Sequence, residues 1–328
     1  MIRDAEPRST RLLKRLGEIA RRRSEGGEWN GAGAWSGAGE PAAEPTGSTL
    51  APTRIPVGVE EILPGGELES PFGRVFLHER LRSAVERSPG RWAKPKRGQR
   101  AKVRVGPRWM WEADPDPWRW DLDPETGRPA PPMCDEPPET LAPEVLHEEL
   151  ERLLRVPFER VLYLDLETGG LGSSCIFLAG TMRWVGEDYV LRQYFARHYG
   201  EEAALIERLA DDLATADAVV TFNGKSFDVP LLRDRAARHL IPLSLPGVHA
   251  DLLHHSRAAW RGKVPNCRLT TLEAYVCQRR RSGDVPGDEV PGLYHGFVRD
   301  GGGERLIPVF HHNLLDVITM DELLRRLI

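Results

Sequence analysis

Residues 160–172 read RVLYLDLETGGLG: an apolar run, two acidic residues two positions apart, then a cluster of glycines. The run from Val161 to Leu164, bounded by turn-forming residues, predicts a buried strand. Strand side chains alternate, so Asp165 and Glu167 fall on the same face. Two adjacent carboxylates repel and hydrate poorly, which is costly unless a cation neutralises them. Gly169, Gly170 and Gly172 allow the chain to turn close to a ligand. Alone, Asp-Leu-Glu at a strand end more often marks a solvated strand end than a site, so the rest of the chain has to decide.

Downstream, CIFLAGTMRW (175–184) and YVLRQYF (189–195) predict two further strands. EEAALIERLADDLA (201–214) predicts a helix, AVVTF (218–222) a strand, and DVPLLRDRAARHL (228–240) a helix. Later helices are expected at LLHHSRAAW (252–260), TTLEAYVCQ (270–278) and HNLLDVITMDELLRRL (312–327). Three strands, a helix and another strand indicate an α/β domain over residues 155–328, with a mixed central β-sheet flanked by helices.

Upstream the composition changes. Residues 1–150 hold 19 of the 27 Pro and 16 of the 32 Gly in this 328-residue chain. Residues 1–54 read as a basic arm, STRLLKRLGEIARRR (9–23), and a flexible linker with too few branched apolar residues to offset chain entropy. Residues 55–150 read as an irregular Pro/Gly/Trp-rich region, with turns at Pro64-Gly65-Gly66 and Pro71-Phe72-Gly73 and a short strand candidate at 74–78. Within it, residues 91–108 carry eight Lys/Arg and no acid, include Trp92, and are followed by Trp109, Trp111, Trp118 and Trp120. Cations for phosphates and flat rings for bases suit single-stranded nucleic acid; a solvated basic loop beside a packed Trp cluster is the alternative. The formal charge of −4 averages over these unlike parts. No apolar run is long enough to span a membrane, and Cys134, Cys175, Cys267 and Cys277 form neither a disulfide framework nor a zinc motif. A reduced, cytoplasmic protein is the expectation.

Two more acidic residues extend the pattern. Asp228 follows the loop Asn223-Gly224-Lys225-Ser226-Phe227 and would open a helix, where Asp is also a favoured cap. Asp316 lies in a helix behind His311 and His312; residues four apart share a helix face, so His312 stands above Asp316. In order and spacing, VLYLDLETGGLG, TFNGKSFDVPLL and HHNLLD resemble the three exonuclease motifs of the DEDD superfamily, the DnaQ-like 3′–5′ exonucleases on a ribonuclease H-like fold. HADLLHHSRAAWR, PNCRLTTLE and DVPG around Asp284 are similar to the YprB-like branch of ribonuclease H-like domains. The likeness covers roughly residues 155–328, with a weaker echo in LPGGELESPFG. One departure is Gly169, where many relatives carry Thr.

The resemblance implies that Asp165, Glu167, Asp228 and Asp316 hold two divalent cations, Mg²⁺ or Mn²⁺, hard ions that favour carboxylate oxygens. It implies a general base five residues before the last Asp in one branch (a His) or four before it in another (a Tyr). His311 and His312 occupy those places, and His312 is preferred. Lys225, Arg268 and Arg279–Arg281 are candidate phosphate contacts, Asn223 a loop-holding or substrate-binding residue, and Trp109 and Trp111 candidate stacking surfaces. Asp251 is expected to cap a helix, His254 and His255 to lie at the surface, and Cys267 and Cys277 to pack. The expected activity is release of nucleoside 5′-monophosphates from single-stranded or frayed DNA or RNA. A non-degrading nucleic-acid adaptor and a structure-selective endonuclease are the alternatives.

Overall fold

The computed structural model describes residues 58–87, 102–105, 108–111, 146–170, 174–279, 281 and 284–328. The basic arm and linker, most of the 91–108 run, Trp92, Trp118, Trp120, Cys134, Gly172 and Arg280 lie outside these residues. So do the side chains of Trp109 and Trp111.

Strand β5 (Val161–Thr168) is an interior strand of a seven-stranded sheet. Its residues 161–164 are all buried, as the apolar run requires. It pairs antiparallel with β6 (Ile176–Val185) and parallel with β8 (Ala218–Thr221). β7 (Asp188–Phe195) continues the antiparallel side, and β9 (Val248–Asp251) pairs parallel with β8. The sheet extends further than composition indicates. β1 (Gly65–Ser70) and β2 (Gly73–Leu81) form a hairpin turned at Pro71-Phe72, and β2 pairs with β7, giving the order β1-β2-β7-β6-β5-β8-β9. Residues 65–81 thus join the main sheet although they sit in the Pro/Gly-rich half. Buried Val75, Phe76 and His78 anchor β2. A separate hairpin, β3 (Lys102–Val105) with β4 (Arg108–Trp111), lies in and just after the basic run, where no strand was expected.

Helices follow from apolar spacing. α3 (Glu202–Ala214) buries Leu205, Leu209 and Leu213, and α4 (Asp228–Arg238) buries Val229, Leu232 and Ala236. The C-terminal helix, α8 (Ile307–Leu327), starts five residues earlier than expected, at the segment led by Pro308, and buries Phe310, Leu314, Leu315 and Ile318. Three helices have no periodic signal, α1 (Arg82–Arg87), α2 (Glu148–Leu154) and α7 (Val290–Asp300), and neither do the early turns of α8. α5 (Leu252–Trp260) and α6 (Leu269–Tyr275) stand where expected. Odd-numbered residues of β5 face α8: Tyr163 Oη donates to Asp321 at 2.8 Å. Among the described residues, no helix is long and apolar enough to cross a membrane.

His78 supplies a pH test of this packing. Burial, with a smaller contribution from Arg80, lowers its pKa from 6.5 to about 4, while Nδ1 lies 2.6 Å from the Pro64 carbonyl. Between these values the unfolded chain binds a proton that the folded chain does not, so stability is whole above pH 6.5 and falls toward pH 4. The loss from this residue is of order 3 kcal/mol. Urea melts of His78→Asn should show a shallower decline than wild type over that range; equal slopes would remove His78 as the source.

Candidate active site

Asp165 and Glu167 emerge on the α8-facing side of β5. Asp165 is gripped by Asn313, whose Nδ2 donates to Oδ2 at 2.8 Å and to the Asp165 carbonyl at 3.2 Å. Asn313 is fully buried, and Gln193 Nε2 donates to its Oδ1 at 2.9 Å. This approach requires Gly180, the residue opposite Asp165 on β6: a Cβ there would fall 2.7 Å from Asn313 Cγ and nearer still to Oδ1. Beyond Glu167 the β5–β6 register shifts, and Gly170 adopts φ 145°, so the chain leaves the sheet through a glycine. At Gly169, a Cβ would crowd Cys175 Sγ at 3.0 Å and His295 Cε1 at 3.2 Å, and His295 Nε2 lies 2.7 Å from the Gly169 carbonyl. Imidazole fills the space that a larger residue would need.

Asp228 opens α4, but not as its cap. It is the first helical residue, and its Oδ1 accepts the Leu166 amide of β5 at 3.2 Å, tying the second acidic element to the first. The loop before it is held by Asp251, which accepts the amides of Asn223 (2.7 Å), Lys225 (3.0 Å) and Leu253 (3.1 Å). Asp251 therefore caps α5 as expected and also braces the neighbouring loop, where Asn223 takes φ 67°. Lys225 pairs with Glu149 of α2. Glu149 also accepts the Asp251 amide at 2.9 Å and faces His255 Nε2 at 3.0 Å. His254 is exposed, but His255 is buried: the surface assignment fails there because the half-buried Glu149 carboxylate compensates the imidazole.

Asp316 and His312 lie one turn apart on α8, with Nε2 3.6 Å from Asp316 Oδ2. His312 Nδ1 lies 2.9 Å from Oδ1 of Asp284. Arg281 completes a ring: it pairs with Asp316, with Asp284 at 3.4 Å, and with Glu273 at 2.7 Å. Its side chain is only 5% exposed, which corrects the expectation that it lines a nucleic-acid path; three carboxylates draw it inward. Arg279 pairs with Glu322. His311 is buried, and desolvation holds its pKa down near 3. Cys267 and Cys277 flank α6 and pack against the core.

The electrostatics of the acids are unfavourable as they stand. Burial first, then the charges of Asp316, Glu167 and Asp228, push Asp165 well above the carboxylate range. Burial raises Glu167 to about 8 against the opposing pull of His312, and raises Asp228 to about 7 despite its backbone hydrogen bonds. For His312, burial is opposed and overcome by the Asp284 hydrogen bond and the charges of Asp316 and Glu167, giving about 10. Among the described residues, no three His, Cys, Asp or Glu side chains converge closely enough to ligate one ion in this arrangement. Asn313 and Arg281 hold Asp165 and Asp316 on their own contacts. The donor set nonetheless fits a hard divalent cation: clustered carboxylate oxygens whose repulsion only added positive charge would relieve.

A cleft of about 530 Å³ opens over this ring, lined by Arg268, Asp284, Pro286, Asp288, His312 and Asp316 among others. Arg268, exposed at the start of α6, stands on its rim. Asn313, Gln193, Asp284 and Glu273 are site residues that sequence reasoning did not assign, and Arg281 was expected on the nucleic-acid path rather than on Asp316. Asn313 sits between two assigned residues, but nothing in the sequence connects Arg281 to Asp316.

The sheet order, the strand-borne acid pair and the third acid on a C-terminal helix define a ribonuclease H-like fold. The family model of the RNase H superfamily matches residues 162–328, just over half of the chain, and the protein belongs to that superfamily. Its members are generally nucleases, and divalent cations typically serve them. Within it the chain is YprB-like: it is 33% identical over 165 residues to the uncharacterized protein YprB of Bacillus subtilis (strain 168). That match covers 49% of this chain and 40% of the relative's length. Among solved structures, the family B DNA polymerase of Pyrobaculum calidifontis aligns with 52% of this chain and 25% of its own, at 18% identity and a TM-score of 0.43.

Proposed function

We propose that the chain is a divalent-cation-dependent 3′–5′ exonuclease of the DEDD type, acting on single-stranded or frayed nucleic acid. The observation that carries this reading is that three separate elements bring their acids together beside a cleft: Asp228 Oδ1 accepts the Leu166 amide between Asp165 and Glu167, and Asn313, on the helix of Asp316, donates to Asp165. Asp165, Glu167, Asp228 and Asp316 would hold the divalent cations, which would supply activation of water and stabilisation of the leaving oxygen.

The chain's own residues do the rest. Asn313 and the Leu166 amide orient Asp165 and Asp228. Asp284 fixes the His312 ring through Nδ1, leaving Nε2 toward Asp316. Held between two carboxylates, His312 keeps its proton; once the Asp316 charge is engaged elsewhere, Nε2 can accept a proton from an attacking water. His312 rather than His311 is the base in this account, since the His311 ring is buried. Arg268 at the rim supplies a phosphate contact, while Lys225, paired with Glu149, serves the Asp228 loop. Residues 91–120, with Trp109 and Trp111, supply charge and stacking surface for the strand.

Matched DNA and RNA oligonucleotides with free or phosphate-blocked 3′ ends test polarity. The expected result is a ladder ending in mononucleotides from free ends only. Internal fragments from blocked strands would instead establish an endonuclease, and tight binding without products an adaptor.

A further inference from the structure

Arg281 is unusual among the cations near the cleft because it is almost entirely enclosed and faces three carboxylates at once. Nε and Nη2 both donate to Glu273 Oε2, at 2.9 and 2.7 Å, and Thr319 Oγ1 of α8 donates to the same oxygen at 2.6 Å. Glu273, 1% exposed, thus anchors one edge of the guanidinium. The remaining edge reaches outward: Nη1 toward Asp284 Oδ2 at 3.4 Å, Nη2 to Asp316 Oδ1. Asp316 is then engaged on both oxygens, Oδ1 by Arg281 and Oδ2 by His312. Asp284 is shared between the same two cations. A planar, permanently charged fork on a carboxylate is a strong and directional partner. A divalent cation would need the same oxygen lone pairs at 2.0–2.6 Å.

We propose that Arg281 is a built-in competitor and positioning residue: anchored on Glu273, it holds Asp316 and Asp284 in the cation-free site and yields the Asp316 oxygen when a divalent cation binds. It thereby sets how weakly the cation is held. The proposal rests on the reading of Asp316 as a ligand.

The test is calorimetric titration of Mn²⁺ into the full chain, with thermal melts to verify folding. Arg281→Gln combined with Glu273→Gln removes the competitor and its anchor while leaving the local net charge unchanged. Mn²⁺ affinity is expected to rise about tenfold, equivalent to ~1.4 kcal/mol. If that variant does not fold, Arg281→Lys keeps the buried charge without the fork, and its affinity should shift the same way by less. Unchanged or weaker affinity in the folded variant overturns the proposal. Asp316→Asn separates the two readings. If it abolishes Mn²⁺ binding while the Arg281 variants bind no tighter than wild type, only the Arg281 proposal falls. If it binds as wild type does, or wild type binds no Mn²⁺, the ligand assignment falls as well.

Discussion

Asp165→Asn, alone or with Glu167→Gln, is expected to stabilise the cation-free protein while lowering nucleic-acid cleavage by roughly 10²–10³-fold or more. The two effects share one cause. Burial and neighbouring acids push Asp165 far up and Glu167 to about 8. A carboxyl whose folded pKa exceeds its unfolded value opposes folding once pH rises above the unfolded value, so at neutral pH the cluster weakens the fold. An amide removes that charge, and its oxygen can still accept the Asn313 Nδ2 donor. Relief of order 1–2 kcal/mol corresponds to a Tm rise of roughly 3–6 °C in EDTA. In Mn²⁺ the order reverses, because only the wild type keeps the full donor set. Paired melts in EDTA and Mn²⁺ measure this directly. A variant that melts lower than wild type in EDTA and cleaves normally would refute both halves.

Gly180→Ala should be nearly as damaging to activity and far worse for stability. Gly180 stands opposite Asp165 in the β5–β6 register, and the added methyl would enter the space of Asn313. Asn313 cannot step aside. It is fully buried, and Gln193, which holds it, also donates to the Phe310 carbonyl at 2.8 Å. Overpacking typically costs 1–3 kcal/mol, and displacing Asn313 would leave buried amide groups unpaired at about 1–3 kcal/mol more. Urea unfolding should therefore show a loss of roughly 2–6 kcal/mol. Gly180→Ala with Asn313→Ala makes room and should recover part of the stability, but not activity, since Asp165 stays without its donor. An unchanged midpoint in Gly180→Ala would contradict the close approach.

The motifs were readable because their chemistry is local. Asp165 and Glu167 share a strand face by alternation, and His312 and Asp316 share a helix face by spacing. The strands β5 to β8 and the helices α3, α4 and α8 follow from hydrophobic period. What escaped depends on contacts distant in sequence. Arg281 meets Asp316 across 35 positions and Glu149 meets Asp251 across 102, and no periodic signal links such pairs. β9, with four residues, is too short for alternation to announce it, and α7 opens on Pro291 and Gly292, which read as a turn. β1 was masked by glycines that serve as its turn and entry, so Pro/Gly content hid the edge strand, whereas its partner β2 contains the strand expected at 74–78. His255 was misplaced because sequence cannot show that Glu149 reaches it.

The acid cluster is proposed to cleave nucleic acid with the help of divalent cations. Digestion of an end-labelled single strand by the full chain, in Mn²⁺ or in EDTA, beside Asp165→Asn with Glu167→Gln, decides this. Shortening is expected from wild type in Mn²⁺, none in EDTA, and none from the folded double variant. Shortening that persists in EDTA or in the double variant, or intact DNA and RNA strands after incubation of wild type with Mn²⁺ and with Mg²⁺, would contradict it.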